Sequence, residues 1–478
     1  MVIALDVGTS AVRAALYDGT GRAVDGRFHR VACRASTTPD GGVEHDAERL
    51  LEAAAASLDA VQVGNRAPIA AVGVCTFWHG LLGFDRAGRA VTPLYLWADT
   101  RSARDAELLR SALDERALHA RTGCHLHSSY WPAKLRWLAR ERGNARRQVA
   151  RWGSFGELLE LNLFGEAATS VSMASGTGLL DQDRADWDPE ALAAAGTDPP
   201  QLFPLADRRQ GRRGLRAPWA SRWPALRNAV WFPAVGDGAA GNIGSDCVDA
   251  RRMALNVGTS CALRLVGPTT PPPRGLWRYR VDRELSILGG ATSEGGNVYA
   301  WCQDNLRLPA ADVMEAALAA PIVERPAVTA LPFLAGERSP GWRGDRRGAV
   351  VGLSLDTTAM DILRTLLEAV ALRLSLVYDL LAPCATPEHV IVASGGALAR
   401  SPAWAQVIAD AIGRPLSLSQ ESEASSRGAA RLALHALGAL DDVGASPAPL
   451  GETLEPDPAR HARYREMRSG QLALDERI

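Results

Sequence analysis

Lysine is all but missing. The 478-residue chain has 53 basic side chains, and Lys134 is the single lysine among them. That bias is read as genome composition rather than function. Excess charge is missing too: 54 acidic residues balance the basic ones to a net charge of -1. No bulk attraction to nucleic acid or to a membrane surface follows from that. No apolar run approaches the roughly 18 residues of a membrane span, so no membrane partner is expected. No basic segment precedes an apolar stretch at the N-terminus, so no secretory leader is expected either, and a cytoplasmic location is. The seven cysteines are scattered and none forms C-x-x-C. Free buried thiols are therefore expected, not disulfides or a metal knuckle. The opening turn lacks the G-x-x-x-x-G-K-S/T pattern of a P-loop.

What the chain does contain is one short pattern twice. Ile3-Ala4-Leu5-Asp6-Val7-Gly8-Thr9-Ser10 is matched downstream by Met253-Ala254-Leu255-Asn256-Val257-Gly258-Thr259-Ser260. Each copy is an apolar run, an Asp or Asn, Val-Gly-Thr-Ser and a second apolar run. That reads as a buried strand, a tight turn and a returning strand. Gly8 and Gly258 can take positive φ and let another group approach the backbone closely. The turn offers N–H groups and two hydroxyls in a small volume, which suits a phosphate. A single such hairpin is ordinary. Two, one near the start of each half, predict two similar lobes facing one polyphosphate. At ~100–200 residues per domain the length accommodates two or three domains.

Between the hairpins the pattern is α/β. The first half predicts a third antiparallel strand from Arg22 to Val31 and an Ala-rich helix from Ala47 to Val61, capped by Asp46. It continues with a buried strand from Ile69 to Cys75, a helix from Ser102 to Leu118 and a helix opened by Pro132. The second half predicts a strand from Leu285 to Ala291, a helix from Asn297, a strand from Gly348 to Leu353 and a long helix from Asp361 to Leu381. A strand from Glu388 to Ala393 runs into Gly395-Gly396, and a peripheral helix is expected after Asp441. Residues 207–227 are rich in Arg, Trp and Pro. Without periodic aromatics or a binding module they read as a solvated surface loop, with no nucleic-acid partner.

Several residues stand out chemically, each with a plainer alternative. Trp78 and His79 make either an aromatic pair under a loop or a platform for a sugar, with His79 bonding a hydroxyl. Asp99 and Arg101 are a helix-start charge pair or a grip on a polar ligand. Lys134 is a solvated helix residue or a ligand contact. Asp237 stands at a strand–helix junction, either as an N-cap or as a rigidly placed, exposed carboxylate. The small residues from Gly236 to Gly241 favour close approach by a ligand. Gly295-Gly296 and Gly395-Gly396 admit a nucleotide against bare backbone, or serve close packing.

These pieces, in this order and over nearly the whole length, resemble the FGGY carbohydrate kinases of the sugar kinase, actin and heat-shock ATPase superfamily. The matching stretches are both hairpins, Lys134-Leu135-Arg136-Trp137-Leu138, Gly236-Asp237-Gly238-Ala239-Ala240, Leu331 through Pro340, Gly348 through Glu368, and Ser394 through Asp410. The resemblance implies two ribonuclease-H-like lobes with mixed sheets, residues 1–246 and 247–478, and a cleft between them. It implies ATP and Mg²⁺ as cofactors and Asp237 as the base that takes a proton from a sugar hydroxyl. It puts Asp6 at the metal, acting through water. Thr9, Ser10 and Thr259 fall on phosphate oxygens, Gly296, Gly395 and Gly396 on the nucleotide, and Trp78 and His79 on the sugar. A homodimer is left open. An actin-like or chaperone-like ATPase would share the hairpins but has no use for Trp78 and His79 beside Asp237. Intact Asp6 and Asp237 argue against a non-catalytic sugar sensor.

Within the family, Trp97 through Arg101, Thr122 through His127, and Gly289 to Ala291 leading to Gly296 and Trp301 look more like gluconate kinases than xylulose kinases. A sugar acid brings a carboxylate beside Asp237 and needs a compensating cation, for which Arg101, Lys134 and His79 are the candidates. D-gluconate is the expected acceptor. D-xylulose, or another ketose or polyol that needs no cation, is the alternative.

Overall fold

Each repeated hairpin becomes the centre of a sheet. The structure, a computed structural model, describes residues 1–267, 271–320, 328–444 and 447–478. In the first sheet the spatial order is Ala23–Ala32, Ala11–Tyr17, Val2–Val7, Ala71–Thr76 and Val230–Trp231, with Val235–Gly236 also pairing along Ala71–Thr76. The first three strands are antiparallel, and Ala71–Thr76 joins Val2–Val7 in parallel. The second sheet repeats this plan: Ser286–Thr292, Cys261–Val266 and Arg252–Val257 are antiparallel, and Val390–Ser394 is parallel to Arg252–Val257. Trp277–Arg280 extends it at one edge, and Leu416–Ser419 and Leu450–Leu454 at the other. The shared order is that of a ribonuclease-H-like lobe. Val2–Val7 is buried along its whole length. A central strand covered on both faces has no polar side to show, which is why it appears in sequence as an apolar run interrupted only by Asp6.

Helix starts follow their caps. The Asp46 carboxylate accepts the Glu48 and Arg49 N–H groups and opens Ala47–Gln62. Thr358 and Asp361 form a capping box for Ala359–Leu381. The single helix expected from Ser102 to Leu118 is two, Ala103–Ala112 and Glu115–Thr122. Leu113 is extended between them, and Asp114 accepts the Ala117 N–H to begin the second. A short carboxylate that can bond backbone restarts a helix more readily than it continues one.

One helix crosses the molecule. Ala424–Ala436 follows the strands of the second sheet, yet Ala429, Ala430 and Ala433 belong to the same core as Val2 to Leu5. It meets the helix Asp237–Gly244 backbone to backbone. A Cβ on Gly428 would strike the Ala240 carbonyl, and one on Gly244 would strike that of Ala424. The final helix, Pro458–Arg477, is not peripheral: Tyr464, Gln471 and Asp475 are buried along it. Residues 207–227 are not simply a solvated loop either. Trp223 and Leu226 are in the core, and Arg208 and Asp282 form a buried pair at 2.8 Å. Arg212 meets Glu160, and Arg222 meets Asp59. Cys33, Cys75, Cys124, Cys247, Cys261 and Cys302 are free thiols. Among the described residues, no helix is long and apolar enough to cross a membrane.

The crossing sets a clear expectation for Gly428→Val. The added side chain has backbone, not a flexible side chain, in its way, so overpacking should cost about 2–3 kcal/mol. Urea unfolding measures this. A loss below about 0.5 kcal/mol, the range of ordinary surface substitutions, would show that the contact is not tight.

Candidate active site

Strand register puts two carboxylates at one edge of the first sheet. Asp6 lies opposite Cys75 on one side of Ala71–Thr76, and Gly236 lies opposite Thr76 on the other. Asp237 follows Gly236 as the first residue of its helix, so Gly236 and not Asp237 is the cap. The Asp237 Oδ1 accepts the Gly238 N–H at 2.8 Å. Burial pushes the Asp237 carboxyl above the usual range, and the Arg264 guanidinium opposes the shift. Asp6 Oδ2 accepts from Arg13 Nη1 at 3.3 Å, and Oδ1 accepts from the Cys75 thiol at 3.4 Å. Burial raises Asp6 to about 6, against Arg13, and the charge of Asp237 adds to the rise. The ionised pair is thus short of positive charge.

Beside these carboxylates lies a cavity of about 100 Å³ walled by both lobes. Trp78 forms part of it, with its indole Nε1 donating to the Ser172 carbonyl at 2.8 Å. A Cβ on Gly176, Gly236 or Gly238 would run into the Trp78 ring. The small residues around Asp237 therefore make room for a tryptophan of the cavity wall and for the crossing helix. His79 sits at φ 69° and donates Nδ1–H to the Gly176 carbonyl at 2.6 Å. Burial lowers its pKa to about 3. The imidazole is neutral, with Nε2 as an acceptor for a hydroxyl, and supplies no positive charge. Trp277 and Tyr279 stack at 4.1 Å, Tyr279 packs on Trp78 with ring centres 4.9 Å apart, and the Tyr130 and Tyr279 hydroxyls meet at 2.6 Å. Flat ring faces with polar tips suit the mixed surface of a sugar.

Two cations line the cavity, and neither was singled out in the sequence. Arg338 lies with its guanidinium 4.2 Å from the centre of the Trp97 ring, and its Nη2 donates to the Thr292 carbonyl at 2.6 Å. Its Nε is buried without a partner among the described residues, as is that of Arg264. Glu294, whose field reaches Arg338, is pushed to about 8 by burial and is largely protonated at neutral pH. Of the residues the sequence favoured as cations, His79 lines the cavity uncharged and the other two lie elsewhere. Arg101 is held by Asp99 and Glu44 and stacks on Trp137 at 4.6 Å. Lys134 donates from beneath the cavity to the Ser129 carbonyl at 2.6 Å and the His79 carbonyl at 3.4 Å, and burial lowers its pKa to about 7. The available signals were faint: Arg264 is a lone charge inside the apolar run Cys261–Val266, and Trp277 and Tyr279 alternate with arginines.

The two hairpin turns present their hydroxyls at the surface of the lobes. Gly8 N–H bonds the Ala11 carbonyl and Gly258 N–H bonds the Ser260 carbonyl, both at 3.0 Å. Neither glycine uses its freedom to adopt positive φ. The group that comes close to Gly8 is the protein's own returning strand, with Ala11 O 3.2 Å from where a Cβ would stand. Ser10 and Thr259 are exposed and Thr9 half-buried. Gly296 N–H bonds the Gly258 carbonyl at 2.8 Å, which docks the helix Gly296–Asn305 on the second hairpin. Gly395, at φ 117°, lies against the Val257 backbone, while Gly396 is exposed at the start of the next helix. Thr259, Gly296, Gly395 and Gly396 are thus brought together around one turn.

Comparison with known proteins agrees over most of the chain. The model for the N-terminal domain of the FGGY family of carbohydrate kinases matches residues 1–244, and that for its C-terminal domain matches residues 253–437. A gluconokinase of Bacillus subtilis is 25% identical, covering 96% of this chain and 91% of that protein. A glycerol kinase of Aromatoleum aromaticum is 32% identical, covering 90% of this chain and 89% of that protein. The solved xylulose kinase of Lactobacillus acidophilus superposes with a TM-score of 0.91 at 25% identity, covering 99% of this chain and 97% of that one.

Lys134 offers a test of the buried environment that is free of other lysines. Its pKa is about 7 in the folded chain against 10.5 for an ordinary lysine. Between those values the unfolded chain binds the extra proton, so stability rises with pH. Wild type should gain about 2 kcal/mol from pH 7 to pH 9 relative to Lys134→Met, by linkage. Parallel stability–pH curves for the two proteins would refute the buried, uncompensated ammonium.

Proposed function

The chain belongs to the FGGY family of carbohydrate kinases, ATP-dependent phosphotransferases, and on that premise we propose that it phosphorylates a sugar acid, D-gluconate, to 6-phosphogluconate. In this reading Asp237 takes the proton of the acceptor hydroxyl while that oxygen attacks the γ-phosphorus of ATP and ADP leaves. Transfers of this kind depend mainly on positioning and charge. A carboxyl raised by burial is a stronger base than a solvated one, and the Arg264 guanidinium opposes the rise. Thr9, Ser10 and Thr259 bond the phosphates, and Gly296, Gly395 and Gly396 carry the nucleotide. Lobe 1–246 holds the acceptor and lobe 247–478 the adenosine.

Mg²⁺ fits the residues present. Asp6 and Asp237 are hard oxygen donors, and the charge of Asp237 raises the pKa of Asp6, the condition a divalent cation relieves. Asp6 would hold the ion through water, since Mg²⁺ keeps several of its own. When bound, the ion supplies neutralisation of phosphate charge.

The choice of acceptor rests on the charge of the cavity. Arg264 and Arg338 line it with Asp237, while His79 and Glu294 are neutral at pH 7. One guanidinium is therefore in excess. A carboxylate on Arg338 would balance it and occupy its unpartnered Nε. The match to a gluconokinase adds to this reading. D-xylulose, the second reading, would use the aromatic rings and His79 equally well and leave the Arg338 charge unmatched.

Two measurements test these assignments. Asp237→Asn should leave ATP binding nearly intact and lower kcat by about 10²–10⁴-fold, the usual worth of a general base; turnover close to wild type would remove it from that role. Arg338→Gln should lower kcat/KM for D-gluconate by about 10-fold or more and change D-xylulose turnover far less. A wild-type preference for D-xylulose would overturn the gluconate assignment and leave the kinase standing.

A further inference from the structure

The segment from Leu331 to Gly344 carries two side chains of the cavity wall, Arg338 and Trp342. Almost none of it is helix or strand, so its shape has to be imposed by side chains. Glu337, the residue before Arg338, is 1% exposed. Its carboxylate accepts from Arg343 Nε at 2.8 Å, from the Gly341 N–H at 3.2 Å and from Arg373 on the long helix Ala359–Leu381. The same two arginines reach a second acid. Asp475 accepts from Arg373 Nη2 at 3.1 Å and from Arg343, and Arg346 Nη2 donates to its backbone carbonyl at 3.0 Å.

Asp475 belongs to the last turn of the helix Pro458–Arg477 and is 4% exposed. An acid there opposes the helix dipole, and burial adds a desolvation cost. Its place is explained by the arginines, not by the helix. One turn earlier, Gln471 donates to the Ala330 carbonyl at 3.0 Å and the Ala369 carbonyl at 3.2 Å, tying the foot of the loop to the long helix. This terminal helix lies beyond residue 437, where the family match ends.

We propose that Asp475 is a positioning residue for the acceptor. Through Arg343 and Arg373 it holds Glu337, and with it the backbone on which Arg338 is mounted. The inference rests on the reading of Arg338 as the cation that meets the acceptor carboxylate. Asp475→Asn keeps the size of the side chain and removes its charge. It should raise KM for D-gluconate by about 10-fold while KM for ATP stays within about twofold. In an Arg338→Gln background the same change should alter KM for D-gluconate by less than about twofold, because the group it positions is gone. Arg343→Met breaks the link from its more exposed side, should show the same pattern, and replaces Asp475→Asn if that variant does not fold. Equal effects on acceptor and ATP, or the full effect persisting in the Arg338→Gln background, would make Asp475 a general stabiliser and overturn the proposal. If Arg338→Gln has its expected effect and neither Asp475→Asn nor Arg343→Met does, the positioning role alone falls. If Arg338→Gln has none, the acceptor reading falls first and takes this role with it.

Discussion

Taking a carboxylate out of water is costly, and the site is assembled around two of them. Asp6 and Asp237 flank one strand and are each given a guanidinium, Arg13 and Arg264, that only partly offsets burial. The shortfall is left for what binds. A phosphoryl-transfer site gains from this, because groups fixed in place before the reaction need no reorganisation when charge moves. The same constraint governs the acceptor cavity. His79 and Glu294 lose their charges to burial, while Arg338, always protonated, spreads its own over the Trp97 ring. In the proposed reading the cavity is thereby positive before any shape is considered.

Around that charge, aromatic surface does the shaping. Trp78 fits only because Gly176, Gly236 and Gly238 lack side chains. The glycines beside Asp237 thus act indirectly: they admit a ring, and the ring forms part of the cavity wall. Tyr130 and Tyr279 bring the two lobes together through one hydroxyl pair, and Tyr279 packs on Trp78, so the cavity wall is completed only by the second half of the chain.

Much of this was legible in the sequence, and the limits have physical causes. Both hairpins, the two-lobe plan and the placement of Asp237 at a strand end could be read, because buried parallel strands leave continuous apolar runs and glycine turns punctuate them. The purpose of the small residues could not be read, since a sequence does not say whether a ring, a helix or a ligand fills the space they leave. Arg101 looked available because its near partner Asp99 was visible and its distant one, Glu44, was not. Arg338 stood in a motif without distinction, and its burial against Trp97 arises from contacts far apart in the chain. The final helix is polar nearly all round, which reads as peripheral; the buried Asp475 is a single position within it.

The helix Ala424–Ala436 has a consequence for how such a chain can change over evolutionary time. Two copies of one hairpin invite a history of duplication and a picture of exchangeable halves. Yet this helix, encoded in the second half, completes the core of the first, with Gly428 seated on the helix that begins at Asp237. A recombination event that replaced residues 1–246 alone would join a foreign core to the resident helix, at a contact where even one methyl group has no room. The inheritable unit for the first lobe is therefore discontinuous. The two halves are obliged to diverge together, whatever their origin as repeats.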